Sequence, residues 1–302
     1  MLLLLSSLVV FLALGVPIAY SLGLSGMAYF IIEQPELLAI LPQRVFAGMD
    51  TYAMVALPLF VLMGLVMNAG GMTSRLIDFS LVFVGRFRGG LGLVNVFASM
   101  VFGGISGSSV SDTASIGAIL IPEMKKKGYD ANFAAGITVA SSTMGMIIPP
   151  SVPIVVYALA AEQSVGRLFL GSLLPGVAIG ILMLGITFIY SVLKAYPKEE
   201  LTLSASEIVS RLKRGALAVI MPVFVIGSVV LGIATATESA AIGVLYAFVV
   251  GYFIIKGLKL SDLPRLLKSS AITSATTMII IAPSQLYAYA AIMEGVPYAN
   301  GA

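Results

Sequence analysis

The sequence predicts an all-α membrane protein that crosses the bilayer several times. Of its 302 residues, 59% are hydrophobic and only 10% are charged, whereas roughly 25% of residues are charged in soluble domains. The mean hydropathy is +1.05, and the charged residues stand in short clusters between long apolar stretches. This composition excludes a soluble globular protein, a disordered chain and a protein that binds nucleic acid through a basic surface.

Several apolar stretches are long enough to cross about 30 Å of hydrocarbon, which takes roughly 20 helical residues. The first is either one tilted helix or two short helices that break near Gly15–Pro17. Segments 73–88 and 194–214 mix charged with apolar residues, which is typical of amphipathic helices at the membrane surface. The predicted spans are 2–32, 51–70, 131–161, 168–193, 215–233, 236–255 and 271–293.

Clusters of Lys and Arg set the predicted orientation, because such clusters face the cytoplasm in membrane proteins. The short connection 162–167 holds a single basic residue and is assigned to the opposite side. On this basis 131–161 runs outward and 168–193 runs inward. The clusters are Arg75, Arg86 and Arg88; Lys125, Lys126 and Lys127; Lys194, Lys198, Arg211, Lys213 and Arg214; and Lys256, Lys259, Arg265 and Lys268.

The stretch 91–122 is predicted to be a re-entrant helical hairpin that enters halfway and returns. Basic clusters flank both ends, and its length is too short for two crossings, which need more than about 40 residues. Its midpoint, 103–113, reads GGISGSSVSDT, and such small polar residues favour a tight turn. A carboxylate such as Asp112 costs about 2.5–3.5 kcal/mol within the membrane, which marks a functional site. The competing interpretation is a small-residue face that packs two spans closely.

The next span, 131–161, is predicted to break at Pro149 and Pro150, since neither proline has an N–H to donate to the helix. The break releases carbonyl groups of Gly145, Met146 and their neighbours near mid-span. Such carbonyls and hydroxyls at a discontinuous helix are hard oxygen ligands suited to Na⁺. A simple proline kink is the competing interpretation.

Two weak internal matches suggest a repeated architecture, which is common in transporters. One matches residues 111–117 with 237–243. The preferred register predicts an inverted second repeat that starts near 213 and is incomplete. It pairs Pro58 with Pro283 and Gly70 with Gly295.

Motifs distributed along the whole chain resemble the large membrane subunit of tripartite ATP-independent periplasmic (TRAP) transporters, the DctM-like permease. The resemblance implies an elevator-type secondary transporter, multi-pass in a bacterial inner membrane. It implies import of organic acids (C4-dicarboxylates, sialic or other sugar acids) with Na⁺ as the coupling ion, no other cofactor and no enzymatic activity. The motifs are GGISGSSVSDT at 103–113, IPEM at 121–124, IIPPS at 147–151, ATATESAAIG at 234–243 and EGVP at 294–297.

The resemblance also implies partners and binding residues. The partners are a small membrane subunit, a periplasmic substrate-binding protein and the lipid bilayer, with no nucleic acid. Ser108 and Ser151 are expected to contact substrate. In the family a hairpin and a broken helix together form a sodium site, which falls here on Ser106, Ser108, Ser109, Asp112, Gly145, Ile148 and Pro149.

The expected domain organisation follows the same order along the chain. Because the family's chain continues into a second hairpin and a second broken helix, we expect this chain to be a fragment or to be completed by another chain. The expected domains are scaffold helices of repeat one at 1–72, an interfacial helix at 73–90, a transport domain made of the hairpin 91–127 and the broken helix 128–166, a span with a cytoplasmic amphipathic segment at 167–212, and the start of repeat two at 213–302.

Two other functions compete with transport. Residues 104–107 read GISG and fit the pattern of an intramembrane serine protease, but the chain has no His to activate a serine. An ion channel with a re-entrant loop is the second alternative. Glu238, at the start of a predicted span, is either a coupling group or a carboxylate stabilised by the helix N-terminus.

Overall fold

The computed structural model describes residues 2–43, 46, 52–161, 163–198 and 204–293. Helices connected by short turns make up this part of the chain, which contains no β-strand, so the expected all-α class is confirmed. The α-helices are α1 (Leu2–Ala13), α2 (Ile18–Glu33), α3 (Ala56–Ala69), α4 (Met72–Val84), α5 (Gly90–Ser106), α6 (Ser109–Lys126), α7 (Ala131–Ser142), α8 (Val152–Ala160), α9 (Val165–Leu193), α10 (Ala205–Val230), α11 (Ala236–Val249) and α12 (Leu263–Met293).

Within the described residues, three helical segments are each long and apolar enough to cross a membrane. These are α9, α10 and α11 with its π-helical extension to Ile254. A fourth candidate is the pair α3 and α4, which bends by 74° at Gly70–Gly71. The chain is thus a multi-pass membrane protein by the length and composition of its helices.

The first apolar stretch forms two short helices, which is the second of the two alternatives. α1 ends at Ala13 and α2 begins at Ile18. Gly15 between them has a φ of +78°, a left-handed conformation that glycine adopts without strain. Pro17 then precedes the first residue of α2.

The amphipathic helix predicted over 194–214 has other bounds in the structure. Residues 194–198 are not helical, and the helix that begins at Ala205 runs without a break to Val230 as α10. Ser204 and Glu207 form a capping box that starts this helix, and Arg211 pairs with Asp78 of α4 at 3.5 Å. The first turns of α10 therefore carry a capping box and a tertiary contact, and they are continuous with the membrane-span candidate.

The chain divides into two compact units, residues 1–55 with 271–302 and residues 56–270. In the first unit, α2 packs closely against the end of α12. A Cβ added to Gly23 would lie 2.8 Å from Cβ of Pro283, and one added to Gly26 would lie 3.1 Å from the backbone of Leu286. Close approach through small residues is typical of helices packed within membranes.

The second unit contains the predicted hairpin and broken helix. Helix α3 packs on α11, where Gly243 leaves room for Met63, and α4 packs on α10, where Gly215 leaves room for Phe79. Buried side chains from these helices and from the hairpin form one continuous core. Its fully buried members include Met63, Met67, Met72, Leu76, Phe102, Ile105, Ile116, Leu120 and Phe169.

An aromatic cluster lies at the base of the hairpin. The ring of Tyr196 stacks on Tyr129 at a centroid distance of 4.6 Å, and Phe133 stacks on Tyr190 at 4.9 Å. The N–H of Gly89 donates to the carbonyl of Pro197 at 3.1 Å. The segment after α9 is therefore held against the residues at which the hairpin begins and ends.

Candidate functional site

The predicted turn at the middle of 91–122 joins two helices through two residues. Gly107 ends α5 with a φ of +60°, and Ser108 caps α6 by accepting the N–H of Ser111 at 3.4 Å. The arms contain 17 and 18 residues, which corresponds to about 25 Å and 27 Å of helix. Each arm is therefore shorter than a hydrocarbon core of about 30 Å.

The span predicted to break at Pro149 is broken over a longer segment. Helix α7 ends at Ser142, a 3₁₀ turn covers Thr143–Met146, and α8 begins only at Val152. The hydroxyl of Ser142 donates to the carbonyl of Thr138 at 2.7 Å, and such back-bonding weakens a helix near its end. The interpretation as a simple kink is therefore wrong, because non-α-helical backbone separates the two halves.

One carbonyl that was expected to be released is used within the break. The hydroxyl of Ser151 donates to the carbonyl of Met146 at 2.7 Å. The carbonyl of Met144 accepts the N–H groups of Ile147 and Ile148 at 2.9 and 2.8 Å. These bonds fold 144–151 into a defined loop between α7 and α8.

The hairpin turn and the broken helix are in direct contact through glycines. A Cβ on Gly103 would lie 2.9 Å from the α-carbon of Gly145, and one on Gly104 would lie 3.0 Å from the carbonyl oxygen of Pro149. The carbonyl of Gly107 accepts the N–H of Val152 at 3.4 Å. Glycine is required at these positions because another residue would separate the two backbones.

Asp112 lies at this junction. Its side chain is fully buried in the first turn of α6, where its N–H donates to the carbonyl of Ser108 at 3.0 Å. A carboxylate oxygen lies where a Cβ of Gly145 would stand. The positive end of the α6 dipole favours a carboxylate here, while burial makes the same group a candidate ion ligand.

The other predicted site residues differ in how they lie relative to this junction. Ser109 and Pro149 lie beside the junction, with Ser109 half-buried and Pro149 buried. Ser151 is fully buried and its hydroxyl donates to the carbonyl of Met146, so its proton is not available to a substrate while that bond is kept. The side chain of Ile148 packs against Gly176 of α9 and carries no oxygen. The backbone carbonyl of Ile148 is therefore its only candidate ligand atom. Ser106 is the last residue of α5, and its side chain is outside the described part.

Sequence reasoning missed a buried polar network that joins the first hairpin arm to the first half of the broken helix. The amide of Asn95 donates to the hydroxyl of Thr138 at 2.6 Å and its carbonyl accepts from Ser141 at 3.2 Å. Ser99 and Ser141 are 2.9 Å apart, and all four side chains are fully buried. The i, i+4 spacing of Asn95 and Ser99 on one helical face was the available signal.

Glu238 takes part in helix capping. Its carboxylate accepts the N–H of Thr235 at 2.8 Å and the hydroxyl of Thr235 at 2.9 Å. The hydroxyl oxygen of Thr235 accepts the N–H of Glu238 in return at 3.2 Å. This reciprocal arrangement is a capping box, and it gives the carboxylate a structural role at the start of α11.

Proteins named as transporter components are similar to this chain. The family described as "Tripartite ATP-independent periplasmic transporter, DctM component" matches residues 5–300. The C4-dicarboxylate TRAP transporter large permease protein DctM of Pseudomonas aeruginosa is 35% identical over 277 residues, which cover 92% of this chain and 65% of that protein.

Two relatives carry other substrate names. The sialic acid TRAP transporter permease protein SiaT of Haemophilus influenzae is 30% identical over 269 residues, or 89% of this chain and 44% of that protein. The isethionate TRAP transporter permease protein DctMQ of Oleidesulfovibrio alaskensis is 31% identical over 287 residues, or 95% and 45%. The chain therefore spans between 44% and 65% of the length of these three relatives.

Proposed function

The chain belongs to the DctM component family of tripartite ATP-independent periplasmic transporters, and on this premise we propose that it is the large permease of a sodium-coupled importer of organic acids. Proteins of this family are transporter permeases, which confirms the expectation that the chain is not an enzyme. The interpretation of GISG as a protease motif is thereby set aside.

The contact between Asp112 and Gly145 is the observation that supports a sodium site. A carboxylate, serine hydroxyls and backbone carbonyls are oxygen ligands, which suit a hard cation. Burial of an ionised carboxylate costs several kcal/mol, and a bound cation offsets that cost. The proposed ligands are the side chains of Asp112, Ser106, Ser108 and Ser109 and the backbone carbonyls of Gly145, Ile148 and Pro149.

The proposed substrate is an organic anion. The relatives are named for a C4-dicarboxylate, for sialic acid and for isethionate, which are all acids. A sodium ion at the hairpin turn places positive charge beside Ser108 and Ser151, the proposed substrate contacts. Substrate and ion then stabilise each other, since each lowers the electrostatic cost of burying the other.

The proposed movement carries this site across the membrane as an elevator. The hairpin 91–127 and the broken helix 128–166 would move together with their charges neutralised. The proposed partners are a small membrane subunit and a periplasmic substrate-binding protein, in a bacterial inner membrane. Lipid surrounds the apolar exterior of the helices.

Uptake by the assembled transporter tests the proposal. The chain is reconstituted in proteoliposomes with its proposed partners, and uptake of labelled succinate, sialic acid and isethionate is measured with a Na⁺ or a K⁺ gradient. We expect saturable, Na⁺-dependent uptake of at least one acid, with sodium activation weakened in Asp112→Asn and unchanged in Glu123→Gln. Glu123 is half-buried near the far end of α6, with the ammonium group of Lys126 at 4.0 Å.

Two outcomes contradict the proposal. Equal sodium activation in the wild type and in Asp112→Asn would mean that Asp112 is not a sodium ligand. A large single-channel conductance through the reconstituted protein would mean that the protein is a pore and not a transporter.

A further inference from the structure

An irregular, hydrogen-bonded loop follows helix α11. The helix continues as a π-helix over Val250–Ile254, a form that is often found at functional sites. The carbonyl of Gly251 then accepts the N–H groups of Gly257 and Leu258 at 3.1 and 3.2 Å. A Cβ on Gly257 would lie 2.6 Å from the carbonyl oxygen of Gly70, so the loop is packed on the corner between α3 and α4.

Lys256 holds an unusual backbone conformation in this loop. Its φ is +59°, in the left-handed region where a residue with a Cβ is strained. Glycine adopts this conformation without strain. The glycine of the loop, however, is the following residue, Gly257, which is packed against Gly70. Strained residues of this kind cluster at ligand sites, and here the conformation places an exposed lysine at a defined position of the loop.

The loop borders a cavity with both cationic and apolar walls. Its volume is about 560 Å³. Phe253 and Leu260 are 61% and 54% exposed, while Lys256 and Lys259 supply two ammonium groups. In the described part of the chain neither lysine forms an ion pair, and the nearby Asp262 lies 3.9 Å from Arg265. The lining residues are Tyr252, Phe253, Lys256, Leu258, Lys259 and Leu260.

We propose that this cavity binds an anionic phospholipid, with its phosphate between Lys256 and Lys259 and its acyl chains along Phe253 and Leu260. The cavity lies where a membrane span ends, so the apolar residues meet acyl chains and the lysines meet headgroups. A dissolved phosphate ion would gain nothing from the exposed aromatic and aliphatic walls. The basic cluster at this end is predicted to face the cytoplasmic leaflet, in which anionic lipids attract basic residues. This site is separate from the proposed sodium site and does not depend on it.

The test compares two pairs of substitutions that remove the same charge. The purified chain in a neutral detergent is titrated with fluorescent phosphatidylglycerol and with the matching phosphatidylcholine. The test variant is Lys256→Gly with Lys259→Gln, in which glycine relieves the backbone strain while removing the ammonium group. The control variant is Lys213→Gln with Lys268→Gln, two exposed cations outside the cavity.

The wild type and the control are expected to prefer phosphatidylglycerol by about tenfold or more, since each lysine near anionic lipid contributes several-fold. The test variant is expected to lose most of that preference while its helical content stays unchanged. Equal preference in the test and control variants would overturn the proposal, because it would mean a diffuse electrostatic attraction. Displacement of the lipid by millimolar inorganic phosphate would also overturn it, in favour of a free-anion site.

Discussion

The carboxylate of Asp112 lies against the α-carbon of Gly145, so the second hairpin arm and the broken helix meet where no side chain fits. A Cβ on Gly145 would stand 3.2 Å from the carboxyl carbon of Asp112 and would overlap one of its oxygens. Because both groups are buried, neither Asp112 nor residue 145 could move into solvent to relieve the clash. The geometry of this contact therefore determines both the packing of the site and its proposed ion chemistry.

Gly145→Ala is accordingly expected to lower the free energy of unfolding by about 1–3 kcal/mol, the usual effect of overpacking a buried site. Thermal unfolding followed by circular dichroism measures the change. Gly136→Ala is the matched control, because Gly136 lies within α7 and has nothing within 4 Å of an added Cβ. There alanine is expected to stabilise the helix by about 0.5–1 kcal/mol. A shift of the same sign and size in both variants would contradict the close contact.

Gly107→Ala separates backbone strain from packing at the hairpin turn. Gly107 and Gly128 both have a positive φ, +60° and +84°, but only Gly107 is crowded, with an added Cβ 3.0 Å from the backbone nitrogen of Val152. Gly128→Ala is expected to destabilise by roughly 1–2 kcal/mol from strain alone, and Gly107→Ala by about 1–3 kcal/mol more. Equal losses in the same unfolding measurement would mean that the turn does not pack on the broken helix.

Asn95→Ala tests the buried network between α5 and α7. Its removal leaves Thr138 and Ser141 with fewer partners in a site without solvent, which is expected to destabilise the protein by about 1–3 kcal/mol. Asn132→Ala, at an exposed position of α7, is expected to change stability by no more than about 0.5 kcal/mol. If the two variants unfold at the same temperature, the network contributes nothing to holding the two elements together.

The sequence was sufficient to predict the two irregular features of the site. The run of glycine and serine at 103–109 identified the hairpin turn, because few other residues make a two-residue connection with positive φ. Pro149 and Pro150 identified the broken helix, since both lack a donor. These inferences need only local backbone chemistry.

Features that depend on which helical faces meet were not predictable in the same way. The end of the helix before the prolines, at Ser142, lies where Gly103 closely approaches Gly145. Charge content suggested a surface helix up to Arg214, but residues 205–214 form the first turns of α10, where Arg211 contacts Asp78. Such contacts join residues far apart in sequence, and periodicity carries no information about them.

The central claim is that the junction of the hairpin and the broken helix binds Na⁺ through Asp112, and thermal unfolding of the purified chain tests it most directly. The wild type and Asp112→Asn are compared in NaCl and in KCl at equal ionic strength, so that screening is the same in both salts. A ligand present at 100 times its dissociation constant stabilises by about 2.7 kcal/mol, so we expect sodium to raise the unfolding temperature of the wild type by several degrees. We expect no sodium-specific rise in Asp112→Asn, whose neutral amide keeps the shape of the site. An identical sodium effect in both proteins, or none in the wild type, would contradict the account.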